Sequence, residues 1–200
     1  MALISVSNNA LQNITAVPAS IPTGALVLLS TQTASSSASI SFTSGIDSTY
    51  DSYVFKFIDI HPSNASQLKC NFSTDGGSNY NVTKTTTSFV GYHTEADDYS
   101  VLVYQTSRDL AQSTSDMWLS SSLPIDNDAS FSGYMQLFNP SSTTFVKHFI
   151  TGGNSMAGDP ASVDEHFAGY ANTTSAINAI IFRMSSGNID DGIIKMYGVK

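Results

Sequence analysis

The stretch QLKCNFST, residues 67–74, decides the fold class of this chain. Leu68, Cys70, Phe72 and Thr74 alternate with polar residues. Because successive side chains of a strand point to opposite faces, this period of two places the four side chains on one face. The stretch therefore predicts a β-strand with one face in a core and the other in water.

Ten further segments are short, rich in β-branched and aromatic residues, and bounded by Gly, Pro, Asn, Asp or Ser. They are residues 25–30, 38–43, 53–60, 81–92, 99–105, 132–139, 144–151, 165–172, 176–184 and 192–199. Only RDLAQST, residues 108–114, has helical character. The pattern predicts an all-β chain, a two-sheet antiparallel β-sandwich of jelly-roll type, with a barrel as the alternative.

The N-terminal residues differ from the rest of the chain in composition. Residues 1–24 are Ser, Asn, Ala and Pro with single aliphatic residues, and Pro18 and Pro22 favour extended backbone. We expect residues 1–24 to form an extended arm used in assembly and docking. Residues 25–200 are expected to form one β-sandwich domain, a size that suits a single unit.

Composition excludes several classes of function. The chain has 200 residues, 12% of them charged, and a net charge of -8, with its Lys and Arg scattered singly. Phosphate binding needs clustered cations, so no nucleic-acid partner is expected. The single cysteine, Cys70, rules out an intrachain disulfide and is expected to be a small core residue. The sequence MALISVSNNA has no basic leader pattern, and no apolar run is long enough for membrane insertion.

One motif, FSTDGGSNYN at residues 72–81, resembles the Asp-box of sialidases. Ser73, Asp75, Gly77 and Tyr80 match its S-x-D-x-G-x-x-aromatic pattern. In sialidases this motif is a structural turn remote from the active site, and the enzymes need three arginines, whereas this chain has two. The four residues are therefore predicted to form a turn, placed at a hairpin, with Asp75 accepting backbone N–H groups.

Other candidate sites have weaker support. GGNSMAG, residues 152–158, approximates a nucleophile elbow around Ser155, but no helix can follow it, so a glycine-rich loop is expected. YHTEADDY (92–99) and SVDEHF (162–167) are predicted to be acidic loops, either solvated or able to hold Ca²⁺. No metal ligands, cofactor or catalytic residues are assigned. Stacking on a sugar ring would need an exposed aromatic residue, for which Trp118 is the candidate.

Several phrases resemble β-rich virion proteins of tailed, especially marine, bacteriophages. They are GIDSTYDSYVFKFIDIHPS, STDGGSNYN, MQLFNPSSTTFVKHF and the terminal SSGNIDDGIIKMYGVK, which ends in a G-x-I-x-aliphatic-Tyr-Gly-Val pattern from Gly192 to Val199. The likeness covers about residues 25–200. It implies a non-enzymatic virion component.

The resemblance leads to one expected function and two alternatives. We expect a tail-fibre or appendage subunit, or a head-decoration protein, assembled in the host cytoplasm with other virion proteins and forming a homotrimer. The first alternative is a module that binds host-surface glycan through Trp118 or loop tyrosines. The second is a hydrolase that uses loop carboxylates such as Asp97, Asp98, Asp164 and Glu165.

Overall fold

The structure is a computed structural model that describes residues 26–200, so the predicted arm, residues 1–24, lies outside the described residues. The described chain contains thirteen β-strands and no helix. The strands are β1 (Val27–Thr33), β2 (Ile40–Phe42), β3 (Ser52–Pro62), β4 (Leu68–Ser73), β5 (Lys84–Thr94), β6 (Ser100–Tyr104), β7 (Leu110–Ser113), β8 (Met117–Trp118), β9 (Phe131–Phe138), β10 (Lys147–Met156), β11 (Ala161–Ala171), β12 (Ala179–Met184) and β13 (Ile189–Val199).

The strands form two antiparallel sheets. The larger sheet, sheet A, has the order β1-β13-β3-β9-β10-β11-β5-β6, and β7 also pairs with β5. The smaller sheet, sheet B, has the order β2-β12-β4-β8. The prediction of an all-β chain with two antiparallel sheets is confirmed, and each of the eleven predicted segments overlaps a strand.

The main core lies between the two sheets and is rich in aromatic residues. Phe182 of sheet B packs against Phe55 and Phe57 of sheet A, with ring centroids 5.4 Å and 5.2 Å apart. Phe72 of sheet B lies 5.4 Å from Phe149 of sheet A. Edge-on and tilted contacts of this kind add about 0.5–1.5 kcal/mol each to the gain from burial. The sheets are therefore joined in a sandwich-like arrangement.

Only part of the opening stretch lies where its pattern predicts. Leu68, Cys70 and Phe72 on β4 are fully buried in this core. Thr74 is exposed beyond the end of β4, and Asn71 and Ser73, predicted to face water, are buried. The expectation that Cys70 is a core residue is confirmed. Burial raises the pKa of its thiol, because a thiolate would lose its hydration there.

Two local predictions are wrong. RDLAQST was predicted to have helical character, but Leu110–Ser113 forms strand β7, because its backbone pairs with the start of β5. The motif at 72–81 was placed at a hairpin, but β4 belongs to sheet B and β5 to sheet A. The motif therefore carries the chain from one sheet to the other.

Among residues 26–200, no helix is long and apolar enough to cross a membrane.

Candidate functional site

The Asp-box-like residues form a tightly hydrogen-bonded turn after β4. The Asp75 carboxylate accepts the Ser73 hydroxyl at 2.6 Å, the Asn79 backbone N–H at 2.9 Å and the Asn79 side-chain amide at 2.7 Å. The Gly77 N–H donates to Ser73 Oγ at 3.0 Å. These donors, the Ser73 hydroxyl first, lower the pKa of Asp75 to about 2. The oxygens of Asp75 are thus occupied by the turn itself.

Tyr80 closes this turn. Gly76 and Gly77 have φ values of +74° and +92°, which favour glycine. A Cβ added to Gly77 would lie 2.7 Å from Tyr80 Oη and 2.8 Å from Thr43 Cγ2. The Tyr80 ring therefore packs directly on the glycine, where its buried hydroxyl has no hydrogen-bond partner among residues 26–200.

Trp118, the candidate sugar contact, lies half-buried on β8. The Nζ of Lys69 is 4.9 Å from its ring centroid, and the Cζ of Arg108 is 5.5 Å away. Both distances are within the range of cation–π attraction. The ring already has two partners inside the protein.

The two acidic stretches are placed differently from each other. The first surrounds the exposed β5–β6 turn, where His93 Nε2 lies 2.9 Å from Asp97 Oδ1. The second was predicted to be a loop, but it lies within strand β11, so that prediction is wrong. There Asp164 is exposed and Glu165 is buried, because neighbouring residues of a strand face opposite sides. Within residues 26–200, no three His, Cys, Asp or Glu side chains are grouped to hold a metal ion.

The predicted glycine-rich loop is also a strand. Residues 152–156 belong to β10, paired with β9 and β11. Aromatic rings from β9 occupy the space in which side chains at these glycines would lie. A Cβ on Gly152 would lie 3.1 Å from the Tyr134 ring, and one on Gly153 would clash with the ring of Phe131. Ser155 is buried, and its hydroxyl donates to Glu165 Oε1 at 3.1 Å.

Glu165 belongs to a chain of polar contacts that runs outward from the core. Its two carboxylate oxygens accept the backbone N–H of Ser121 at 2.5 Å and 2.6 Å. The Ser121 hydroxyl in turn accepts a hydrogen bond from Arg108 Nη1 at 2.5 Å. Burial raises the pKa of Glu165 above its ordinary value, and these donors offset part of that effect. The network has no signature in the sequence because its three residues are far apart in the chain.

Arg108 lines a cleft of about 1140 Å³ at one end of sheet A. The cleft lies between the β5–β6 turn, the segment 121–124 and the β10–β11 turn. Val90 and Val163 belong to a small apolar cluster beneath it. At its rim the Tyr92 hydroxyl donates to Asp159 at 2.5 Å, which raises the pKa of Tyr92 to about 12. The cleft combines an apolar floor with a polar rim, as small-molecule sites do.

The outer face of sheet A, opposite the main core, carries a row of side chains in register across six strands. Each residue of this outer row is the cross-strand partner of the next: Lys56, Tyr134, Gly152, His166, Phe89 and Tyr104. The three aromatic residues of the row are between 44% and 48% exposed.

Further apolar side chains flank the outer row. Phe89 stacks on His166 with ring centroids 4.9 Å apart. Ile150 and Leu102, on the same face, are 46% and 75% exposed. None of these residues was predicted from the sequence to be an exposed apolar position. The signal in the sequence is that β5, β6, β9 and β10 have apolar residues both at the alternate positions that face the core and at those that face outward.

The two ends of the outer row differ in charge. At the β3 end, Lys56 is the partner of Lys195 on β13, so two cations lie side by side. At the other end, Tyr104 donates its hydroxyl to the Asp109 carboxylate at 2.7 Å, and Asp164 lies exposed beside His166. The face is thus basic at one end, aromatic in the middle and acidic at the other.

No protein-family model matches the chain, and comparison with curated proteins and with solved structures also finds no match.

Proposed function

We propose that this chain is a non-enzymatic structural protein of a tailed-bacteriophage virion and that it acts by assembly with copies of itself and with other virion proteins. It would stand on the particle exterior, as a tail-fibre or appendage subunit or as a head-decoration protein. The observation that carries the proposal is the apolar outer row. The resemblance of residues 25–200 to phage virion proteins supplies the biological setting.

The exposed apolar side chains on the outer face of sheet A indicate that a partner covers this face. An antiparallel sheet in a single-domain protein usually has one face in the core and one solvated, polar face. Here Tyr134, Ile150, Phe89, Leu102 and Tyr104 occupy the solvated face instead. Exposed apolar patches of this kind mark interaction sites.

The charge pattern favours a second copy of the chain as that partner. If the basic end of one copy meets the acidic end of the next, Lys56 and Lys195 approach Asp109 and Asp164, while the aromatic residues lie between them. Such a contact joins two different patches and is heterologous, so repeating it gives a ring where the rotation between copies closes and a filament where it does not. We propose a homotrimer as the ring that forms.

Two sheet orders support a jelly-roll topology for the module. Counting only β1, β2, β3, β4, β8, β9, β12 and β13 as strands one to eight, sheet A contributes the order 1-8-3-6 and sheet B the order 2-7-4-5. This is the order of two Greek keys wound into a jelly roll, an architecture of viral capsid and lectin domains. The remaining strands widen sheet A.

Two measurements test the proposal. Multi-angle light scattering of the full chain over a range of concentrations should give three times the mass of 21.3 kDa. Mass spectrometry and cryo-microscopy of purified particles should then find the chain on the particle surface. A monomer at every concentration, together with absence from particles, would contradict the proposal.

Recognition of host-surface glycan is a second candidate function, favoured by the cleft rather than by Trp118. Tyr92 and Tyr99 offer ring surfaces and Arg108 a planar donor, which are groups that suit sugar hydroxyls and C–H faces. A glycan array tests the idea, with Tyr99→Ala expected to abolish binding and Trp118→Ala expected to preserve it. Loss of binding in Trp118→Ala alone would instead favour the sequence-based site.

A further inference from the structure

Strand β6 has an open edge. It pairs with β5 through residues 100–104, and no other strand within residues 26–200 pairs with its opposite edge. Its apolar side chains are unusually accessible: Leu102 is 75% exposed, Tyr104 48% and Val103 39%. Among the described residues, the strand therefore combines backbone groups that no strand pairs with and exposed apolar side chains.

The direction of the unpaired backbone groups follows from the pairing with β5. The Gln105 N–H donates to the Ser88 carbonyl at 2.9 Å, and the Thr94 N–H donates to the Tyr99 carbonyl at 3.0 Å. Hydrogen-bonded and non-hydrogen-bonded pairs alternate along an antiparallel ladder. The N–H and C=O groups of Leu102 and Tyr104 consequently point away from β5, toward the open edge.

Within residues 26–200, this edge lacks three of the devices that protect edge strands, namely charged side chains, proline and bulges. Proteins protect such edges with Lys, Pro, bulges, very short strands or a covering loop. Residues 100–104, Ser-Val-Leu-Val-Tyr, contain no charge and no proline, and they pair with β5 in continuous register. An edge of this type is a ready template for another strand.

The chain also contains a segment whose chemistry suits this edge. None of its 8 basic and 16 acidic residues lies in residues 1–25. Adding that segment to an apolar edge would bury no ionised side chain. Within it, NITAV at residues 13–17 contains Ile14, Thr15 and Val17, three β-branched residues of the kind that favours strands. An extended segment that adds to an open edge gains main-chain hydrogen bonds regardless of its exact sequence.

We propose that part of residues 1–25 of a neighbouring copy adds as a strand to the open edge of β6. The alternate side chains on one side of that strand would cover Val101 and Val103, which line the cleft. Those on the other side would lie next to Leu102 and Tyr104 on the outer face.

This inference rests on the proposed assembly of copies, and the geometry of the sheet explains why a neighbour supplies the strand. The segment joins β1 at Leu26, at the opposite edge of sheet A from β6. Seven strand spacings separate the two edges, about 34 Å. In the basic-to-acidic contact between copies, the β1 side of one copy adjoins the β6 side of the next, so the segment enters without crossing its own sheet.

Photo-crosslinking of the full chain tests the proposal. Benzoylphenylalanine at position 104 should form adducts that map to residues 1–25, and the same group at Phe145, which is 69% exposed, serves as the matched control. Mixing ¹⁵N-labelled and unlabelled chains identifies the copy that donates the strand. We expect mixed-isotope adducts from position 104 and none from position 145. Adducts confined to one copy, or absent from residues 1–25, would overturn the inference.

A matched pair of substitutions tests the backbone pairing itself. Leu102→Pro removes an N–H that β5 does not use, so the edge strand should keep its fold. It should lower the adduct yield by about tenfold, through one lost main-chain hydrogen bond and the clash of the ring. Leu102→Ala keeps the N–H and should retain most of the yield. Equal yields for the two variants would refute strand addition.

Hydrogen exchange on the unmodified full chain decides the case if Leu102→Pro does not fold. The amides of Leu102 and Tyr104 should exchange slowly if the edge is paired, and at the rate of a free strand if it is open. An assembled chain with fast exchange at both amides defeats only this inference. A chain that never assembles defeats the proposed function as well.

Discussion

The carboxylate of Glu165, a fully buried residue, accepts the backbone N–H of Ser121 with both of its oxygens. This contact ties the segment after β8 to strand β11, forty-four residues further along the chain. The same segment positions Arg108 through the Ser121 hydroxyl. One buried acid therefore helps to shape a wall of the cleft.

Replacing Glu165 with Gln should change how stability depends on pH. The folded-state pKa of Glu165 is raised, so the neutral carboxyl group stabilises the folded state. This contribution to the unfolding free energy is fully present below the unfolded pKa of about 4.3 and is lost as pH rises through the folded-state pKa. Glu165→Gln does not ionise. Its unfolding free energy should therefore rise relative to that of the native protein between pH 4 and pH 8, as measured by denaturant titration.

Glu165→Leu is the control for this experiment. It leaves the Ser121 N–H and the Ser155 hydroxyl without an acceptor, at a cost of about 1–3 kcal/mol each. That loss should exceed the effect of Glu165→Gln at every pH. Parallel pH profiles for the native protein and Glu165→Gln would show that the carboxyl group is not perturbed by burial.

Lys84→Met should be tolerated or stabilising at neutral pH. Lys84 is fully buried, and among residues 26–200 its ammonium donates only to the Ser115 carbonyl, at 2.7 Å. Burial lowers its pKa to about 8, so the cost of the buried charge is present below that pH and disappears as pH rises toward 10.5. The native protein should gain at most about 3 kcal/mol relative to Lys84→Met between pH 7 and pH 10.5.

Equilibrium unfolding at pH 7, 9 and 10.5 measures this difference. Glu95, which is exposed at the β5–β6 turn, provides a surface control through Glu95→Met. A constant difference between the native protein and Lys84→Met across this range would contradict the prediction.

Two adjacent glycines in the turn after β4 should respond unequally to alanine. At both positions the positive φ penalises alanine by about 1–2 kcal/mol. Gly76 has open space around its Cα, whereas a methyl group on Gly77 would press against Tyr80 and Thr43. Gly77→Ala should therefore melt at a lower temperature than Gly76→Ala, as calorimetry can show. Equal melting temperatures would mean that Tyr80 does not pack on the turn.

Phe89→Lys should weaken the assembly of copies. It replaces an aromatic ring of the outer row with a cation, which the basic end of the neighbouring copy would repel. Central aromatic residues of interfaces contribute about 2 kcal/mol or more, which corresponds to roughly 30-fold weaker association. Phe145→Lys, on an exposed loop away from the row, should leave association unchanged. Sedimentation velocity compares the two, and equal association constants would remove the outer row from the interface.

Most strands could be predicted because their segments are rich in β-branched and aromatic residues and bounded by turn-forming residues. Residues 68–73 also alternate apolar and polar residues without interruption. Two strands could not be found this way. Met117–Trp118 is too short to show a period, and Leu110–Ser113 has a single large apolar residue. Their strand conformation comes from the partners β4 and β5 rather than from their own sequence.

The candidate site was harder to predict than the fold. Gly152 and Gly153 look like a loop in sequence, yet both lie in a strand because rings from β9 occupy the space that their side chains would take. Glu165 looks solvated, yet it is buried because Ser121 and Ser155 supply its hydrogen bonds. In each case the deciding contact is with a residue of another strand or loop, which a local pattern does not contain.

The sulfur of the single cysteine, Cys70, is buried in the core between the two sheets. Its rate of alkylation by a thiol reagent should therefore report the rate at which the whole domain opens, without any engineered label. The folded protein should keep the same covalent state in reducing and oxidising surroundings alike.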